Sequence, residues 1–257
     1  MSSFSKMLIK SPGEVEIMAE GGRILKKVLD KLVSEAKKGV RLKDLDKTAY
    51  ELIINAGAKP SFLGYKPYGT AKPYPNSICA SVNEVIVHGV PTIYELKSGD
   101  ILKIDLGVFY KNFHTDAART VGIGKISEVA SRLIQTTETA LNKVIEEIKL
   151  GNTINDIGYL IESFVKSRGF KIVKGLTGHG IGRELHQDPI INNFGKRGTG
   201  LRLKKGMVLA IEPMVGVGSG EIIQNKDDSY KTADGSLSAH FEDTVVVLEK
   251  DLRILTK

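Results

Sequence analysis

The chain has a single cysteine, Cys79, and no tryptophan in 257 residues. One thiol rules out an intrachain disulfide framework and any multi-cysteine zinc site, and it fits a reducing compartment. Apolar runs fall far short of the roughly 18 residues that a bilayer span needs. The opening MSSFSKMLIK has no long apolar core of the kind a signal peptide carries. A cytoplasmic protein without a membrane partner is expected. Nucleotide signatures are also lacking: Gly178-His179-Gly180-Ile181-Gly182 and Gly216-Val217-Gly218-Ser219-Gly220 lack the G-x-G-x-x-G spacing, and no Walker lysine motif occurs. Proline is scarce at 8, and 41% hydrophobic with 26% charged residues is the balance of a folded chain, not a disordered one. The net charge of +7 comes from scattered lysines. That distribution reads as a solvated surface, with no specific nucleic acid expected and the ribosome surface as the acidic partner class that such an excess would suit.

What is present begins with helices. Ser11-Pro12-Gly13-Glu14 has the form of a capping box with proline at the first helical position, and Ile17, Ile24, Val28 and Leu32 follow at helical spacing up to a stop before Gly39. Residues 1–10 form a tail. A second helix covers about Lys43–Ala56, and further helices cover about Ser127–Ile148 and Thr153–Ser167. Between them, Ser61–Pro75 is a loop whose Phe62, Tyr65, Tyr68 and Tyr74 suit the lining of a pocket. Strands are expected at Ser77–Val82, Val85–His88, Phe170–Val173, Met207–Ile211, Glu221–Gln224 and Phe241–Leu248.

The stretch Gly99–Thr120 carries the most chemistry. Ile101–Tyr110 and Phe113–Val121 are β-branched, apolar segments, each with one central aspartate, separated by Lys111-Asn112. They read as a hairpin, with Asp105 and Asp116 opposite or diagonally opposite, roughly 4.5 to 8 Å apart, if the turn falls in the even register. Two acids facing each other among Ile, Leu and Val are unfavourable unless one is protonated or a cation lies between them, and the bland reading is that one aspartate points to solvent.

The chain also matches itself. Gly39, Asp44 and Gly57 have the spacing of Gly151, Asp156 and Gly169, and Leu96-Lys97-Ser98-Gly99 matches Leu203-Lys204-Lys205-Gly206, which places Asp105 on Glu212. His114-Thr115-Asp116 resembles His240-Phe241-Glu242, and His88-Gly89-Val90-Pro91 resembles His186-Gln187-Asp188-Pro189. Four similarities in the same order imply two halves around a shared sheet, with both sets of acids meeting at the pseudo-twofold axis. The polar set so assembled is Asp105, Asp116, Glu212 and Glu242, with His179 from the glycine-rich segment, expected as a loop. Oxygen donors with one nitrogen favour Mn, Fe(II), Co or Zn. A surface acid at Glu242 and a space-filling histidine at 179 are the bland readings. Cys79 in its apolar strand reads as a packed thiol, with a cysteine nucleophile as the rival.

Asp105 and Asp116 with ten residues between them, Gly178-His179-Gly180-Ile181-Gly182, Ile211-Glu212-Pro213 and Phe241-Glu242-Asp243-Thr244 together resemble the type I methionine aminopeptidases, over about residues 11–257. The resemblance implies the pita-bread fold, an α/β (α+β) architecture of two pseudo-twofold-related halves with helices covering a curved, mainly antiparallel sheet. It implies two divalent metal ions, with Asp105 on one, Asp116 and Glu242 bridging, and His179 and Glu212 completing the other. It also implies removal of the initiator methionine from nascent chains by a monomeric enzyme, through a metal-activated hydroxide with Glu212 as base. His88 and His186 would contact the scissile peptide, and Tyr74 and Cys79 would line the methionine pocket. A non-catalytic ribosome- or RNA-associated protein on the same scaffold is the alternative. Departures are Leu185 where an aromatic residue usually precedes the second histidine, a longer loop between Gly64-Tyr65 and Tyr74-Pro75, and no tryptophan upstream of Ser236-Leu237-Ser238-Ala239. Neither a zinc-finger extension nor the helical insertion of the type II enzymes has a counterpart.

Overall fold

The computed structural model describes residues 9–66 and 72–257. Tyr68 and most of the tail lie outside them. Among the described residues, helices α1 (Pro12–Glu35), α2 (Leu42–Asn55), α3 (Glu128–Glu147) and α4 (Ile154–Ser167) accompany a 9-stranded sheet. The capping box forms at α1: Glu14 N donates to Ser11 Oγ at 3.3 Å and Ser11 N to Glu14 Oε2 at 2.9 Å. At α4, Thr153 N donates to Asp156 Oδ2 at 2.7 Å, which satisfies a first-turn donor in the same way.

The centre of the sheet is the hairpin of β4 (Ile101–Tyr110) and β5 (Phe113–Gly122), paired without interruption from Ile101↔Gly122 to Tyr110↔Phe113. Lys111 and Asn112 turn the corner with φ of 45° and 67°, the left-handed conformation a two-residue connection requires. On β4 the even positions Leu102, Ile104, Leu106 and Val108 are fully buried in one cluster with Leu25, Leu32 and Leu45 of α1 and α2. The odd positions, Lys103 and Asp105, face the other way. β1 (Lys59–Pro60) and β2 (Cys79–Val82) pair with β4. Beyond β5 the sheet continues through β14 (Glu242–Val247), β9 (Val208–Ile211), β7 (Thr177–Gly180) and β8 (Gln187–Asn192), with β15 (Leu252–Ile254) also on β14. A second core joins Leu141, Val144, Ile157 and Ile161 of α3 and α4 to Leu209, Ile211, Val245 and Val247.

Two small three-stranded sheets flank this one: β13 (Ser238–His240), β10 (Met214–Gly216) and β6 (Lys171–Ile172) in one, β11 (Ile222–Gln224), β12 (Tyr230–Thr232) and β3 (Val85–Val87) in the other. Among the described residues every strand pairing is antiparallel. The sequence reading missed most of the short strands, and it placed His179 in a loop where the structure has it in β7. Glycine causes that error, because Gly178 and Gly180 weaken strand propensity. Both are needed for close approach: a Cβ on Gly178 would lie 2.5 Å from Ala210 O, and one on Gly180 would overlap Asp188 O. The expected strand through His88 stops at Val87, with His88 at φ 60°.

Candidate metal centre

Strand register brings the acids to one face. Asp105 pairs with Ala118, and Ala118 pairs on its other side with Glu242, so the three side chains share a row with the smallest in the middle. Asp116, two residues along β5 from Ala118, points the same way, diagonal to both Asp105 and Glu242. On the far side of β14, Thr244 pairs with Ala210, and Ala210 pairs with His179. Alternation along β14 and β9 then puts His179 and Glu212 on the face that carries Glu242. All four carboxylates and His179 are buried. His179 Nε2 lies 3.6 Å from Glu212 Oε1, while His179 Nδ1 is 2.9 Å from Gly180 O, which fixes the ring with Nε2 toward the acids.

The cluster is electrostatically incomplete. Asp105 Oδ1, Asp116 Oδ1 and Glu242 Oε1 are buried without a hydrogen-bond partner. Burial raises Asp105 and Glu212 to about 7, with His240 pulling Asp105 and His179 pulling Glu212 partly back. Burial first and neighbouring carboxylates second hold Asp116 and Glu242 well above the usual carboxylate range. Asp116, His179 and Glu242 each offer a ligand atom, all within 4.8 Å of one another, and so do Glu212, His240 and Glu242. Orphaned buried oxygens with imidazole nitrogens between them are what a divalent cation satisfies, so the donor set fits a metal.

Backbone contacts brace this set. Arg119 donates to the carbonyl oxygens of Ala118 (2.9 Å) and Glu242 (2.6 Å) and pairs with Asp243 at 2.8 Å. Thr244 Oγ1 accepts from Asp116 N at 2.9 Å and donates to Asp116 O at 2.8 Å. Asn193 Nδ2 donates to Glu212 O at 2.9 Å. Sequence reasoning gave Arg119, Thr244 and Asn193 no role, because the contacts that brace the acids join segments far apart in the chain. His240 was visible only as the repeat-mate of His114. It is 1% exposed, its Nε2 is 3.2 Å from Glu212 Oε2, and burial lowers its pKa to about 4. His114, by contrast, meets Ser61 Oγ at 2.9 Å.

The acids form the floor of a cleft of about 1190 Å³. His88 and His186 stand exposed on its walls. His186 packs edge-on against His179 with ring centroids 4.4 Å apart, and its Nδ1 is 2.8 Å from the Tyr65 hydroxyl. His88 packs edge-on against Tyr230 at 5.8 Å. Phe62, Tyr65, Tyr74 and Cys79 line an apolar end. The Tyr74 hydroxyl lies 2.9 Å from Ile78 O, and Asp46 accepts from Ser77 N at 2.8 Å and Ile78 N at 3.2 Å, so α2 holds this lining in place. Cys79 is buried beside its pairing partner Asp105, and burial together with that acid pushes the thiol well above its usual range. A nucleophilic cysteine needs the opposite, a stabilised thiolate.

Comparison with known proteins places this arrangement. The model of metallopeptidase family M24 matches residues 16–249, and the chain belongs to that family. A methionine aminopeptidase from Clostridium perfringens is 45% identical over 97% of this chain and 98% of its own length, and methionine aminopeptidase 1 from Bacillus subtilis is 40% identical over 98% and 99%. A crystal structure of methionine aminopeptidase from Thermotoga maritima superposes with a TM-score of 0.93 at 38% identity, covering 98% of this chain and 99% of that one. Within family M24 the chain therefore stands among the type I methionine aminopeptidases, with their pita-bread fold. Prolidase from Pyrococcus furiosus, at 24% identity and a TM-score of 0.80, shares the fold.

Proposed function

We propose that this protein is a metal-dependent aminopeptidase that removes the initiator methionine from nascent chains. The observation that carries the reading is the buried set of four carboxylates and His179, three of whose oxygens have no protein partner, at the floor of a cleft with an apolar end. Four carboxylates balance the charge of two divalent ions, and one ion would leave half of that charge uncompensated in a buried site. Asp105, Asp116, His179, Glu212 and Glu242 would hold the metal, Asp105 on one ion, His179 and Glu212 on the other, with Asp116 and Glu242 shared between the two. Mn, Fe(II), Co and Zn all suit the donors.

Bound divalent metal supplies a water of lowered pKa and a Lewis acid for the peptide carbonyl. The chain's own residues do the rest. Glu212 takes a proton from the attacking water and gives it to the leaving amine. His88 and His186, both lining the cleft, donate to the carbonyl oxygen and the peptide as charge develops there. His186 is held for this by Tyr65 and His179. Phe62, Tyr74 and Cys79 receive the methionine side chain, an apolar thioether suited to an aromatic-lined end.

We further propose that residues 11–257 are one catalytic unit that arose by internal duplication. The glycines matched by the repeat share a conformation: Gly39 and Gly151 have φ of 87° and 91°, Gly57 and Gly169 of 73° and 84°. Tertiary partners remain the nascent amino termini, met in the cytoplasm by a monomer, with the basic surface favouring ribosomes. No described helix is long and apolar enough to cross a membrane. Release of free methionine from Met-Ala-Ser, set beside Met-Lys-Ser, tests the reading: rapid release from the first and slow release from the second is expected, and equal rates or no release would refute it.

A further inference from the structure

His240 is the buried imidazole of the centre that has no assigned task. Its backbone is held from both sides. Thr120 Oγ1 donates to His240 O at 2.6 Å and accepts from His240 N at 2.9 Å, and β13 pairs His240 with Met214 of β10. A residue so fixed and only 1% exposed delivers its ring to one place, where Nε2 is 3.2 Å from Glu212 Oε2. Neither ring nitrogen forms an aligned hydrogen bond in this arrangement. An unsatisfied buried polar group costs on the order of 1–3 kcal/mol, so the ring is expensive unless it acts on something.

Glu212 is the group within its reach. Two imidazoles flank that carboxylate: His179 Nε2 at 3.6 Å from Oε1 and His240 Nε2 at 3.2 Å from Oε2. His179 has its Nδ1 on Gly180 O, which leaves its Nε2 for a metal. That leaves His240 as the donor for Glu212. The last torsion of a glutamate is soft, so turning the carboxylate into line with Nε2–H costs little. We propose that His240 is a positioning residue, whose Nε2–H holds Glu212 Oε2 and thereby keeps Oε1 toward His179 and the reacting water. The inference rests on the reading of Glu212 as ligand and base.

The test compares wild type with His240→Gln, which keeps an N–H donor, and His240→Leu, which does not. Metal-free protein is titrated with Co(II), the Co(II)-loaded protein is examined by proton NMR, and kcat and KM are measured on Met-Ala-Ser. His240→Leu should weaken Co(II) binding and lower kcat, each by roughly 10- to 100-fold, the range for partners of metal ligands, with KM within about threefold. His240→Gln should stay within about threefold of wild type in kcat. Wild type should show one exchangeable imidazole N–H with the large through-bond shift of a ring bound to Co(II), from His179 Nδ1, and His240→Gln should keep it. A second signal shifted as far and lost in His240→Gln would make His240 a ligand and overturn the proposal, as would Gln and Leu variants that behave alike. If His240→Leu does not fold, a Gln variant slowed tenfold or more overturns it, and one at the wild-type rate with the signal intact supports it. Activity that survives complete chelation would instead refute the reading of Glu212, whichever result His240 gives.

Discussion

The acid cluster is drawn from two differently built regions. Asp105 and Asp116 sit on a hairpin whose ten pairs run without a bulge, so their spacing follows from local register alone. His179, Glu212, His240 and Glu242 come from strands of three to six residues or their ends, and β7 slips register against β8 between Gly178 and Gly180. A long hairpin holds two acids rigidly in parallel. Short strands that end or change sheet at the site let separate segments converge on one point, at the cost of making each position depend on distant contacts such as Asn193 to Glu212 O and Arg119 to Glu242 O.

That contrast can be broken by substitution. The largest effect is expected in the later region, where Glu212→Gln should lower kcat by roughly 10²- to 10⁴-fold through loss of the base. Steady-state kinetics with saturating metal checks it, and a loss under tenfold would remove Glu212 from the role. Next come the histidines. His88→Ala and His186→Ala should each lower kcat by roughly 10²-fold, about 2.7 kcal/mol, while metal content by elemental analysis stays unchanged. His179→Ala should lower metal content as well as rate. Emptying of the site by the wall histidines but not by His179→Ala would reverse the assignments. The hairpin region is probed at Ala118, fully buried between Asp105 and Glu242. Ala118→Val should cost about 1–3 kcal/mol of packing and weaken metal binding, whereas unchanged affinity by calorimetry would mean that the row has slack. The smallest effect is expected at Cys79→Ser, a loss of under about tenfold, since only pocket packing of order 1 kcal/mol changes. Inactivity of that variant with normal metal content would revive a cysteine mechanism.

The same contrast explains what the sequence made legible. Periodicity found the four described helices to within about three residues, because their apolar stripes are long and their starts explicit at Ser11 and Thr153. The hairpin was equally plain, and its even register places Asp105 and Asp116 diagonally, one of the two arrangements expected. Strands such as Thr177–Gly180, Ser238–His240 and Leu252–Ile254 were not, since three or four residues carry no period. Of the site, the acids were visible as charges inside apolar strands, and the resemblance supplied His88, His186, Tyr74 and Cys79. His240 and Asp46 stayed hidden: one was visible only as the repeat-mate of His114, and the other lies inside a predicted helix without any motif around it. Only tertiary structure shows that Asp46 reaches Ser77 and Ile78, about thirty positions away.

Metal dependence is the central claim, and one measurement meets it directly: methionine release from Met-Ala-Ser before chelation, after removal of metal to completion, and during stepwise return of Mn, Fe(II), Co or Zn. The carboxylate cluster predicts that activity disappears with the metal and returns with it, reaching its maximum at no more than two ions per chain. Cleavage by the metal-free protein at its original rate would contradict the account.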